Sequence, residues 1–145
     1  MHIYPRGFFG LMLLTFALLA VSGALFAVPH LAERFSFDAP LALPEGVLMK
    51  LHGGAALVVT LAIGALLPVH IRAGWARRKN IVSGLSLLAL NAILLITAWG
   101  LFYLGDEAWR QWTSDIHLLA GLVLIGVIAP HLVLARTLRE ARRPA

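Results

Sequence analysis

The chain has 145 residues and no cysteine. It therefore carries no disulfide, no C-x-x-C-H haem attachment, no Cys-ligated iron–sulfur cluster and no thiolate-ligated haem. Charged side chains make up only 13% of it, and because they are clustered, long stretches contain none. No strand pattern precedes a glycine-rich turn, so the dinucleotide-binding and phosphate-binding fingerprints are missing. No internal repeat, linker or water-soluble domain can be traced. No Ser/His/Asp constellation is credible inside lipid, and the chain cannot by itself accept a hydride or oxidise a soluble substrate.

What is present is apolar and long. Mean hydropathy is +0.86. Between Arg6 and Glu33 lie 26 residues without Asp, Glu, Lys or Arg; Lys50 to Arg72 encloses 21, Lys79 to Asp106 encloses 26 and Asp115 to Arg136 encloses 20. About 20 apolar residues in a helix cross a hydrocarbon core, and none of the four runs shows the polar stripe of a helix packed in water. The expected architecture is all-α: an integral membrane four-helix bundle, one transmembrane domain over 1–145, with helices near 7–28, 48–71, 81–104 and 114–135. The apolar run from Gly7 to Val28 exceeds the 7–15 residues of a signal peptide's apolar region, so the first helix is expected to be retained.

The charges orient the helices. Arg6, Arg72, Arg77, Arg78, Lys79, Arg136, Arg139, Arg142 and Arg143, nine of the twelve basic residues, fall on one side. Six of the seven acids, Glu33, Asp38, Glu45, Asp106, Glu107 and Asp115, fall on the other. Excess Lys and Arg mark the cytoplasmic face, so both termini are expected inside a bacterial inner membrane. The net charge of +5 is then topology, and nucleic acid is not an expected partner. Trp99, Tyr103, Trp109 and Trp112 gather at the acidic face, with Trp75 and Tyr4 near the basic one, as interfacial aromatics do. Short turns at 73–80 and 105–114 suit antiparallel neighbours. The longer stretch from Pro29 to Glu45 holds three prolines and is expected to be an irregular cap.

Four histidines interrupt the apolar spans: His52 and His70 in the second, His117 and His131 in the fourth. An ionisable residue inside hydrocarbon is costly and generally marks a site. His52 and His70 are 18 positions apart, five whole turns, so they share a face at a separation of about 27 Å. His117 and His131 are 14 positions apart, about 21 Å, and share a face at 3.5 residues per turn. Helices two and four run in the same direction, which sets His52 level with His117 and His70 level with His131. Opposed imidazoles from facing helices supply both axial positions of a haem iron. The two separations differ by about 6 Å, and Pro68, two residues before His70, is expected to kink the second helix.

Other residues are secondary candidates. Gly53, Gly54, Ala55, Ala56, Gly64, Gly121 and Gly126 leave room for a flat macrocycle, although small residues equally let helices pack. Arg72, Arg77 and Arg136 could pair with propionates. His30 follows Pro29 and could touch a propionate, quinone or water, whereas His2 reads as a tail residue. Asn91 is expected to bond across helices.

The stretches LHGGAALVVTLAIGALLPVHIR and DIHLLAGLVLIGVIAPHLVLAR resemble the bacterial di-haem b-type cytochromes, cytochrome b and the b561-like membrane subunits of respiratory dehydrogenases. The likeness covers most of the chain and lies in its pattern; the helix-two spacing departs from the family's, which is nearer that of helix four. The resemblance implies two non-covalent b-type haems, with His52, His117, His70 and His131 as axial ligands, and electron passage to or from quinone or a partner redox subunit. Two rivals remain: a haem-free anchor subunit of a larger complex, and a histidine-based metal or proton transporter. The transporter is disfavoured because no Asp or Glu lies within the spans, where such chains usually carry one.

Overall fold

A backbone inside lipid has no water to bond to, so each apolar run satisfies its own N–H and C=O groups by forming helix. The computed structural model describes residues 6–40, 43–76 and 81–140, and among them every regular element is helical. Helix α1 spans Arg6–Phe35 and α2 spans Glu45–Leu66. A π-helical turn, Leu67–Ile71, and a short α3, Arg72–Ala76, follow directly. Helices α4, Ile81–Tyr103, and α5, Glu107–Glu140, complete the chain. Four segments are long and apolar enough to cross a membrane: Gly7–Ala32, Glu45–Ala76, Ile81–Tyr103 and Glu107–Val133.

The helix ends differ from those expected, each for a local reason. Helix α1 does not stop at Pro29 but runs on through it to Phe35, since a proline within a membrane helix loses one backbone bond that its surroundings can make good. The helix closes at Ser36, whose φ of 57° is left-handed, while Phe37 N–H donates to Ala32 C=O at 3.0 Å. This is a Schellman closure, and it shortens the irregular cap to the residues after Phe35. Helix α5 starts at Glu107 instead of near Ser114, because Asp106 caps it: Asp106 Oδ1 accepts the Trp109 N–H at 3.0 Å. Glu107 adds an acid to the first turn, which the helix dipole favours. The interruption expected at Pro68 takes the form of the π-helical turn, because proline offers no N–H for the i→i−4 ladder. Asn91, expected to bond across helices, donates through Nδ2 to Leu87 C=O of its own helix at 2.7 Å.

The chain groups into two compact units, Met1–Leu67 and Pro68–Ala145. In the first, α1 packs on α2; in the second, α4 packs on α5. Leu48 and Ser22 are the largest fully buried side chains. Large apolar residues elsewhere are left open: Leu14, Leu61, Ile96 and Leu119 are each more than 60% exposed. Such a surface would aggregate in water, but hydrocarbon is as apolar as leucine, so in lipid it costs nothing. Trp99, Tyr103, Trp109 and Trp112 are likewise exposed, at the end of the second unit where α4 meets α5. With four apolar spans and this outward face, the chain is a multi-pass membrane protein.

Helices in lipid associate through close van der Waals packing, and Gly100 shows how close α4 and α5 come. A Cβ added there would lie 2.9 Å from Thr113 Cγ2 and 3.3 Å from Leu104 Cδ1. Thr113 cannot easily turn aside, since its hydroxyl is held on Trp109 C=O at 2.8 Å. Gly100→Ala is expected to lower the stability of the second unit by about 1–3 kcal/mol, the usual range for overpacking. Thermal unfolding in detergent micelles would register this; an unchanged midpoint would mean the helices sit further apart.

Candidate histidine site

In the first unit the site begins on α1 with Ser22, Gly23 and Phe26. Ser22 is only 2% exposed, and its Oγ lies 2.8 Å from His52 Nδ1 on α2. The imidazole rests against α1 at Gly23, where an added Cβ would stand in van der Waals contact, 3.4 Å from His52 Cε1. Phe26, one turn on, presents its ring nearly perpendicular to His52 with centroids 6.0 Å apart. Backbone, hydroxyl and aromatic edge together fix how His52 lies.

The second unit repeats the device twice. Thr97 Oγ1 on α4 lies 2.8 Å from His117 Nδ1 on α5, and Ser83 Oγ on α4 lies 3.0 Å from His131 Nδ1. Ser83 and Thr97 are 14 residues apart, and so are His117 and His131. In an antiparallel hairpin a hydroxyl spacing on one helix that equals the histidine spacing on the other puts both pairs in register. A 14-residue repeat closes four turns at 3.5 residues per turn, so both pairs occupy one seam.

His70, in the π-helical turn of this unit, comes up to His131, with ring centroids 6.4 Å apart and planes inclined at 62°. This joins two of the four expected histidines. His52 and His117 lie in different compact units, each held by its own hairpin. Arg72 is exposed, two residues after His70. Arg77, His2 and the side chain of Arg136 lie outside the described residues. Comparison with protein-family models, curated proteins and solved structures finds no match to this chain. Its chemistry has to be read from its own side chains.

A metal bound by protein alone generally needs three or four ligands, and no group of three or more His, Cys, Asp or Glu gathers among the described residues. A pair of imidazoles suits instead a metal whose remaining ligands come from a macrocycle. Metal–nitrogen bonds of about 2 Å on opposite sides of one ion hold the ring centroids roughly 6 Å apart, close to the 6.4 Å between His70 and His131. The two planes are inclined at 62°, an edge-to-face approach of the rings. Two imidazoles are a donor set that a macrocycle-bound metal would accept.

The glycines also sort themselves. A Cβ added at Gly53, Gly54, Gly64, Gly121 or Gly126 would meet no described atom of its own hairpin within 4 Å, so these five do not serve contact between the paired helices. That role falls to Gly23 and Gly100, which the sequence did not single out. Ser22, Ser83 and Thr97 were missed as well, although a repeated 14-residue spacing on the fourth and fifth helices would have revealed two of them.

Proposed function

We propose that the chain is a membrane electron-transfer cytochrome that holds two b-type haems by paired histidines. On this reading His70 and His131 would hold the haem on the cytoplasmic side, with His52 and His117 as the remaining proposed ligands. The approach of His70 to His131 at 6.4 Å is the observation that carries this reading. The hydroxyl on the Nδ1 side of His52, His117 and His131 supports it, since metal-ligating histidines almost always engage their other ring nitrogen in a hydrogen bond. By the positive-inside pattern, both termini face the cytoplasm of a bacterial inner membrane.

Haem, when bound, would supply one-electron chemistry. The protein's part is to hold the imidazoles, to surround them with apolar helix and to offer Arg72 as a positive charge near the cytoplasmic haem edge. Haem held between paired histidines would pass single electrons and would not bind a small substrate. The chain therefore acts as a relay and is not catalytic alone, passing electrons between a partner redox subunit and quinone or another carrier.

A reduced-minus-oxidised absorption spectrum of the detergent-purified chain tests this. A b-type band with close to two haems per chain is expected. A colourless protein from haem-sufficient cells would reject the proposal and leave the anchor or transporter readings.

A further inference from the structure

Ser22 and Thr97 do more than sit beside a histidine, because each has its one proton committed elsewhere. Ser22 Oγ lies 2.7 Å from Leu18 C=O and 3.2 Å from Leu19 C=O. Thr97 Oγ1 lies 2.8 Å from Ile93 C=O and 3.1 Å from Leu94 C=O. A carbonyl oxygen has no proton to give, so the hydroxyl must be the donor in these contacts. A hydroxyl owns a single proton and two acceptor lone pairs. Toward the imidazole, at 2.8 Å in both cases, it can then only accept. The donor is Nδ1–H, and the ring's lone pair stands on Nε2.

We infer that Ser22 and Thr97 are positioning residues that hold His52 and His117 in the Nδ1–H tautomer before any cofactor arrives. Three polar residues are buried among those described, Thr15, Ser22 and Thr97, and two of them are these histidine partners. The same arrangement recurs in both compact units: a hydroxyl bonded back to its own helix, then accepting from a histidine on the next. The tautomer itself does not depend on haem. Its consequence for iron ligation through Nε2 rests on the reading proposed above. The acceptor is a neutral hydroxyl and not a carboxylate, so it orients the imidazole without drawing it toward imidazolate.

The test uses the full-length chain, labelled with 15N-histidine and purified from haem-deficient cells. Ring 15N shifts should report Nδ1 protonated and Nε2 unprotonated at His52 and His117. Ser22→Ala should move the tautomer ratio of His52 about five- to tenfold toward Nε2–H, the effect of losing one ordinary hydrogen bond, while leaving His117 unchanged. Thr97→Val should do the same to His117 alone. Ser22→Thr and Thr97→Ser, which keep the hydroxyl, should restore the wild-type ratio, an effect that general unfolding would not produce. Nε2–H rings in the wild type, or a ratio unmoved by Ser22→Ala and Thr97→Val, would overturn the inference. In haem-loaded chain the same two hydroxyl losses should weaken haem binding about 10–100-fold. Nδ1–H rings in a chain that never binds haem would uphold the tautomer assignment while removing the cytochrome reading.

Discussion

Chain carrying His131→Ala is expected to retain one haem where the wild type is proposed to hold two, and to remain in the membrane fraction in wild-type amount. The reasoning separates ligation from insertion. His131 contributes one imidazole that approaches His70 and bonds Ser83, so its loss takes away half of the pair and leaves the Ser83 hydroxyl without that contact. The span around it, Glu107–Val133, owes its membrane residence to leucine, isoleucine and valine, and alanine is no obstacle there. His70→Ala should therefore give the same single-haem product. His117→Ala should also give a one-haem protein, but one that has lost the other centre, and combining His117→Ala with His131→Ala should leave none. Pyridine haemochrome assay against protein concentration reads the stoichiometry directly. Two haems persisting in the His131→Ala chain would strike both His131 and His70 from the ligand set.

The second large effect concerns the solvent around the helices. Leu61 lies near the middle of the Glu45–Ala76 span and is 66% exposed. On a water-facing helix, arginine at such a position would change stability by no more than about 0.5 kcal/mol. At the centre of a bilayer, exchanging leucine for arginine costs about 3 kcal/mol on the insertion scale. That corresponds to roughly a hundredfold in an equilibrium constant. Leu61→Arg is expected to cut membrane integration of the second span sharply, read by protease protection or glycosylation mapping of the adjoining loops. Leu61→Ala at the same site serves as the control and should integrate nearly normally. Equal integration of the arginine and alanine chains would mean that this face does not meet lipid.

The parts of this molecule legible in its sequence were those governed by one property at long range. Four charge-free windows announced four spans, because a single charge at depth is costly enough to be excluded. Helix ends were less visible, since they depend on particular neighbours. Asp106 captures the Trp109 N–H and starts α5 earlier than the apolar pattern suggests. Pro29, which looks like a stop, sits inside α1 because the next break is set by Ser36 and its left-handed backbone.

The histidines stood out for the same reason as the charges, being rare and expensive in hydrocarbon, and their 14-residue and 18-residue spacings suggested shared faces. Their hydroxyl partners did not stand out. Serine and threonine within a membrane helix commonly satisfy themselves on the preceding turn, as Thr15 does on Leu11 C=O at 2.8 Å. Nothing in the single residue separates Thr15 from Ser22. Only the pairing of helices does so: Ser22 lies against His52, as Ser83 and Thr97 lie against His131 and His117 across their own hairpin. Asn91, expected to bond across helices, gives one of its two amide protons to a backbone carbonyl one turn away.

Near-infrared magnetic circular dichroism of the oxidised, purified full-length chain bears most directly on whether paired imidazoles grip iron in this protein. The position of the low-spin ferric charge-transfer band distinguishes imidazole–imidazole ligation from imidazole–thioether or imidazole–water. A single bis-imidazole signature accounting for all bound haem is the predicted result. A high-spin spectrum, a mixed-ligand band, or no haem signal at all would contradict the assignment of His52, His70, His117 and His131 as ligands.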